Sequence, residues 1–300
     1  MKAIVTIPPY APFIKEVAKH PIVSGVRLNT VMPIKQGTLE ETLKRIQVEI
    51  KDKDLWIDLK CRQLRVVGYW SPPFTEVTLS HTIEVDTPVT AYFRDGIERA
   101  TVLEVDGNKL IMQDGPRRII GPGESVNIIH PSLKIDGYFT DTDLKYIETA
   151  KDLGIKTLML SFVEGAEDKG ALQQIYPDAI IVEKIESQKG MDYVRERWKS
   201  DRLMAARGDL YIEVNRPHEI INAVETIVNK DPQAIAASRI FPSLAQSGEP
   251  TSQDIGDVDS LMRMGYRTFM FGDEICMGRE SILAGLNLLE AMAEDYNARH

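Results

Sequence analysis

Short apolar runs alternate with stretches of helical period along almost the whole of this sequence, and that rhythm leaves few architectures open. Strands separated by helices pair in parallel, and a parallel sheet has to be covered on both faces. The runs are Ala3–Ile7, Val26–Asn29, Leu55–Lys60, Thr157–Phe162, Ala179–Glu186, Leu203–Arg207, Ala234–Ser238 and Thr268–Gly272. Helical period fills the gaps at Leu39–Ile50, Asp143–Leu153, Met191–Lys199, His218–Asn229, Asp257–Met264 and Ser281–Asn297. Thr38-Leu39-Glu40-Glu41 reads as a capping box and Gly154 as a helix stop. Eight βα units in succession favour a closed (β/α)8 barrel of the α/β class over an open sheet.

One segment breaks the rhythm. From about Val67 to Ile129 the chain is rich in Val, Thr, Pro and Gly, and Asp106-Gly107 between Val102–Val105 and Lys109–Met112 reads as a hairpin turn. The expected organisation is a barrel domain from 1–66 and 130–300 with a small all-β domain, 67–129, inserted after the third strand as a lid. The 300 residues suffice for that arrangement.

Composition excludes some roles. No apolar run approaches the roughly 20 residues that span a bilayer, and Pro8-Pro9 interrupts the first run, so it reads as a strand and not a signal peptide. A net charge of −9 disfavours nucleic acid as a partner. Two cysteines, Cys61 and Cys276, make a disulfide framework unexpected and a reducing cytoplasm the default. The five histidines, His20, His81, His130, His218 and His300, share no metal-ligand spacing.

The chemistry gathers at strand ends. Side chains alternate along a strand, so Lys184 and Glu186 face the same way, and in a barrel that face is the mouth where active sites sit. The next strand ends in Ala206-Arg207-Gly208-Asp209-Leu210, which brings a second carboxylate to a neighbouring tip. Two carboxylates there suit a hard cation such as Mg2+ with open positions for substrate. Lys184 can balance charge on an enolate or phosphoryl group. Each element alone is weak: a Lys-x-Glu pair is usually a surface ion pair and Arg-Gly-Asp usually a turn. Their succession on consecutive strands is what points to a site. Arg27, Asn29, Asp58, Lys60, Arg65 and Ser238 end other strands or follow them. Arg27 and Arg65 can bind a doubly anionic ligand, or else form structural ion pairs at the rim.

These residues resemble those of the pyruvate kinase family, in order, over nearly the whole chain. The opening Ala3-Ile4-Val5-Thr6-Ile7-Pro8-Pro9, Arg27-Leu28-Asn29, Asp58-Leu59-Lys60-Cys61-Arg62-Gln63-Leu64-Arg65 and Ser161-Phe162-Val163 are similar to family segments. Lys184-Ile185-Glu186 and Ala206-Arg207-Gly208-Asp209-Leu210 are the most specific. Ala236-Ala237-Ser238-Arg239, Pro250-Thr251 through Asp257-Val258, and Met270-Phe271-Gly272-Asp273-Glu274 complete the resemblance, and the β-rich insert falls where the family's B domain lies. The resemblance implies Glu186 and Asp209 as ligands of Mg2+ or Mn2+, and Lys184 as the cation beside enolpyruvate and the transferring phosphoryl. It implies that Gly208-Asp209 backbone and Ser238 receive the substrate carboxylate, with Arg27 facing the phosphoryl.

The departures are lopsided. Asn29 and Asp58 of the family's monovalent-cation site remain, but Val31 and Leu59 replace its hydroxyl residues, which weighs against potassium. Gln63 stands where the family has Glu or Lys, Met32 where it has a nucleotide-contacting His, and Met277 where it has Lys. Cys61-Arg62 replaces Gly-Pro, and Glu164 replaces a basic residue. The insert is shorter than the family's lid, and the C-terminal regulatory domain has no counterpart here, so a monomer and a homo-oligomer are equally expected. Against the family pattern, the oxo-acid and metal half looks retained and the nucleotide and monovalent-cation half looks eroded. Three functions follow as expectations. The first is phosphate transfer between phosphoenolpyruvate and ADP. The second is a metal-dependent lyase or decarboxylase working through a pyruvate enolate without nucleotide. The third is a non-catalytic descendant that binds a metabolite, such as a small 2-oxo acid, or a protein partner.

Overall fold

The computed structural model describes residues 1–94, 96–199 and 201–299; His300 lies outside them. Eight parallel strands close into a barrel in chain order: Lys2–Thr6, Val23–Asn29, Asp54–Leu59, Thr157–Leu160, Ile180–Ile185, Arg202–Ala206, Ile235–Ala237 and Thr268–Phe271. The eighth pairs back onto the first from Lys2–Thr268 to Val5–Phe271, so closure leaves the barrel no edge to extend. All eight expected runs are strands. Several stop one or two residues early, leaving Lys60, Phe162, Glu186, Arg207, Ser238 and Gly272 just past their strands. There the backbone turns out of the ladder. Phe162 and Ser238 have φ of 51° and 66°, left-handed values that cost a non-glycine residue on the order of 1–3 kcal/mol.

The barrel interior is layered by the two-residue period of its strands. An apolar layer holds Ile4, Trp56, Met159, Val182, Met204, Ile235 and Met270, all buried. The second strand contributes Gly25, where a Cβ would stand 2.9 Å from the Trp56 indole; the missing side chain makes room for the ring. Two residues further along each strand come Thr6, Arg27, Asp58, Ser161, Lys184, Ala206, Ala237 and Gly272. Polar groups therefore sit directly on a dry floor.

Helices cover the outside. Leu39–Ile50 begins at the expected box: Thr38 Oγ1 accepts the Glu41 N–H at 3.2 Å and Glu41 Oε2 accepts the Thr38 N–H at 2.8 Å. Its Leu39, Leu43, Ile46 and Ile50 form one buried stripe. Gly154, at φ 68°, follows the helix Asp141–Asp152. The helices expected from Met191 and Asp257 begin earlier, at Gln188 and Ser252, because Ser187 and Thr251 cap them.

Between the third and fourth barrel strands lies a five-stranded antiparallel sheet in the order Glu76–Thr78, Lys109–Met112, Glu98–Asp106, Val89–Phe93, Val126–Ile128. The expected hairpin turn joins two of them: Asp106 pairs with Lys109 and Gly107 has φ 61°. A short pair, Ile83–Glu84 with Lys134–Ile135, stands beside it. The sheet packs around its own apolar cluster, reaching from Leu64 to Ile135. Among the described residues no helix is long and apolar enough to cross a membrane.

Candidate active site

Asp58 is the hub of the polar layer and is wholly buried. It accepts from Arg27 Nε at 2.8 Å, from Arg27 Nη2, from Lys60 Nζ at 2.8 Å and from Lys184 Nζ at 3.0 Å. Burial works to raise its carboxyl, but Arg27, Lys184 and Lys60 outweigh it and hold the group well below the usual carboxylate range. Lys184 also donates to Ser161 Oγ at 2.7 Å and lies 3.2 Å from Glu186 Oε1. Burial would strip its proton, yet Asp58 and Glu186 raise its pKa, so the ammonium stays charged. Lys60 differs: burial, with Lys184, Arg27 and Arg65 nearby and Asp58 opposing, brings it down to about 8.

Glu186 and Asp209 come together from the fifth and sixth strand ends. Glu186 Oε2 accepts the Phe162 N–H at 2.7 Å. Burial pushes its carboxyl up, Lys184 pulls it down and Asp209 adds to the rise. Asp209 stands in the first turn of the helix Arg207–Glu213 and accepts from Gln63 Nε2 at 3.0 Å and Asn127 Nδ2 at 3.3 Å. Asn127 belongs to the inserted sheet, and its amide also reaches Glu213 Oε1 at 3.2 Å. Gly208 faces Ser238, since a Cβ on it would stand 3.4 Å from Ser238 Oγ.

Arg27 forms the ion pair that was the structural alternative for it. Besides Asp58 it reaches Thr6 Oγ1 at 2.9 Å and Asp273 Oδ1 at 3.4 Å. Asn29 Nδ2 donates to Asp273 Oδ2 at 2.9 Å. Arg65 is bound to Gly123 O and Gln63 Oε1. One cavity of about 600 Å³ is lined by Arg27, Asn29, Lys60, Arg65, Lys184, Glu186, Gly208, Asp209 and Ser238. The strand-end candidates thus share one mouth, with Asp58 beneath. Sequence reasoning missed Asp273 against Arg27, Asn127 against Asp209, and Ser161 as a partner of Lys184. Only Ser161 carried a readable signal, by alternation from Met159.

Among the described residues no group of three or more His, Cys, Asp or Glu side chains gathers to hold a metal by itself. Glu186 and Asp209 nevertheless fit a divalent cation. They are two hard oxygen donors on one cavity, with Asp209 adding to the rise that burial gives the Glu186 carboxyl, and water or substrate oxygens would fill the rest of an octahedral shell.

Two departures from the family pattern compensate each other. Arg62 donates to Glu164 Oε2 at 3.0 Å and to Asp168 Oδ1, and Glu164 Oε1 accepts from Ser187 Oγ at 2.7 Å. Arg62 and Glu164 thus form one ion pair.

Comparison with known proteins agrees with this layout. Residues 74–282 match the family model described as pyruvate kinase, barrel domain. The pyruvate kinase of Borreliella burgdorferi is 26% identical over 299 residues, covering 87% of this chain and 61% of that protein. That of Methanocaldococcus jannaschii is 29% identical over 269 residues, covering 85% and 58%. The chain therefore spans about three fifths of the length of these relatives. With a closed eightfold barrel, a β insert after its third strand and a family match across most of its length, the chain belongs to the pyruvate kinase family.

Proposed function

We propose that the cavity is a pyruvate-kinase-like site that moves phosphate between phosphoenolpyruvate and ADP by way of enolpyruvate. One observation carries this reading: Lys184, held charged by Asp58, stands 3.2 Å from Glu186 in the same cavity as Asp209, Ser238 and Arg27. Glu186 and Asp209 would hold Mg2+ or Mn2+, which when bound supplies Lewis-acid polarisation of the oxo and enol oxygens. Lys184 stabilises the negative charge of the enolate in a site of low dielectric. Gly208 leaves room for a carboxylate beside the Ser238 hydroxyl. Arg27 faces the phosphoryl group, and Lys60 and Arg65 add positive charge at the rim. Both cysteines are free and buried, which suits a reducing cytoplasm. The partners are small molecules, without nucleic acid or membrane; self-association is compatible with this reading.

A second reading, a metal-dependent lyase or decarboxylase acting through a pyruvate enolate, has one observation in its favour. Asp273 already occupies Arg27, which faces the phosphoryl in the first reading, and is held there by Asn29. The test uses purified protein, Mg2+ or Mn2+ and phosphoenolpyruvate, with and without ADP, following pyruvate and ATP together. Matching ADP-dependent products, abolished in Lys184→Met, support phosphotransfer. Metal-dependent binding of oxalate with no ATP formed rejects it and moves the weight to the lyase.

A further inference from the structure

The cavity mouth holds an acid, Asp273, that neither the hub nor the metal pair requires. Asp273 lies immediately past the eighth strand, and its side chain is 42% exposed to the cavity side of Arg27. Arg27 has five N–H groups and makes four hydrogen bonds to protein oxygens: two to Asp58, one to Thr6 and one to Asp273. The other Asp273 oxygen is fixed by Asn29 at 2.9 Å. An anionic group arriving at Arg27 therefore meets a carboxylate already seated there.

Among the described residues five cationic side chains and four carboxylates line the cavity, and Asp58 beneath is a fifth acid. The mouth is balanced only because Asp273 is present. A divalent cation at Glu186 and Asp209 then leaves two positive charges to be met by ligand. A 2-oxo dicarboxylate or oxalate meets them, whereas an enol phosphate, whose phosphate is nearly doubly ionised near neutral pH, brings about three negative charges.

We infer that Asp273 is a specificity-determining residue: its carboxylate fills the place of an incoming anion at Arg27, so the site takes 2-oxo acids and dicarboxylates in preference to a phosphate-bearing enol ester. This rests on the reading of the cavity as a metal-assisted oxo-acid site, shared by both functions above; under the first of them phosphoenolpyruvate is still the phosphoryl donor, but the weaker-bound of the two ligands. The test is calorimetric binding of oxalate and of phosphoenolpyruvate at saturating Mn2+. Wild-type protein binds oxalate at least about tenfold more tightly, about 1.4 kcal/mol. In Asp273→Asn, which keeps the shape and a donor-acceptor pair for Asn29, phosphoenolpyruvate affinity rises about tenfold or more and oxalate affinity changes less than about threefold. Equal affinities in the wild type, or equal changes for both ligands in the variant, overturn the assignment while leaving the oxo-acid site intact. No oxalate binding to wild-type protein with Mn2+ overturns the oxo-acid reading itself, and the assignment with it. The wild-type comparison stands even where the variant does not fold.

Discussion

Lys184 Nζ reaches across the fourth barrel strand to stand 3.0 Å from Asp58 Oδ1, with Ser161 Oγ of the intervening segment 2.7 Å from the same nitrogen. The cation at the centre of the proposed chemistry is thus positioned by a carboxylate two strands away. Asp58 serves Arg27 and Lys60 in the same way. Removing it leaves three buried cations without their common counter-charge.

Asp58→Asn is accordingly expected to cost about 3–5 kcal/mol of folding free energy, the range for breaking one side of a buried ion pair. Because the folded-state carboxyl sits well below its ordinary value, its contribution is fully present above the unfolded aspartate range. It is lost only as pH falls through the depressed folded value. Urea midpoints measured from mildly acid to neutral pH should show a constant deficit for the variant, shrinking in strong acid. Equal midpoints at neutral pH would mean that the network is not a net stabiliser.

The proposed metal pair makes a separate expectation. Glu186→Gln and Asp209→Asn should each weaken Mn2+ binding about a hundredfold or more, beyond the 10–100-fold typical of outer-shell partners. Free Mn2+ can be counted by its paramagnetic resonance signal. The half-buried Asp259→Asn, remote from the cavity lining, serves as the control, since its carboxylate is paired with Arg263 on its own helix. If all three variants bind Mn2+ alike, the two carboxylates are not the ligands.

Much of this architecture was legible in the sequence, for reasons that differ from residue to residue. The barrel strands are apolar runs buried on both faces, and nothing else in a soluble chain reads that way so often in succession. Lys184 and Glu186 were paired by the two-residue period alone, which also sends Glu183 to the opposite, helix-covered side. Asp273 against Arg27 could not be read, because 246 positions separate them and only closure of the eighth strand onto the first joins them. The same holds for Asn127 and Asp209, 82 positions apart and linked by how the insert folds back. The helix Ala166–Ile175 was missed for a local reason: it buries only Asp168 and Leu172, too little for an amphipathic stripe.

Lys60 gives the site a pH response. Its ammonium titrates at about 8, brought down by burial and by Lys184, Arg27 and Arg65. Anionic ligands bind best to the protonated form, so oxalate affinity at saturating Mn2+ should fall as pH rises through about 8. Lys60→Arg keeps its charge to much higher pH and should flatten that profile. A wild-type profile already flat between neutral pH and about 9 would remove Lys60 from ligand binding.

Glu183 supplies the clearest stability prediction, because it lies outside the mouth and is fully buried. Burial lifts its carboxyl from the ordinary value to about 7, with Tyr193 opposing only in part. A group raised in the folded state contributes stability below its unfolded value and loses it as pH climbs through the folded one. Wild-type stability should therefore decline from about pH 5 to about pH 8, by at most about 3 kcal/mol from this residue. Glu183→Gln keeps the volume and the acceptor oxygen but has no charge to desolvate. Its decline over that interval should be shallower than the wild type's by this amount, and its stability should exceed the wild type by about 1–3 kcal/mol above neutrality. Denaturant titrations at the two ends of the range read this directly. A variant that declines in parallel with the wild type would assign the pH dependence to other groups.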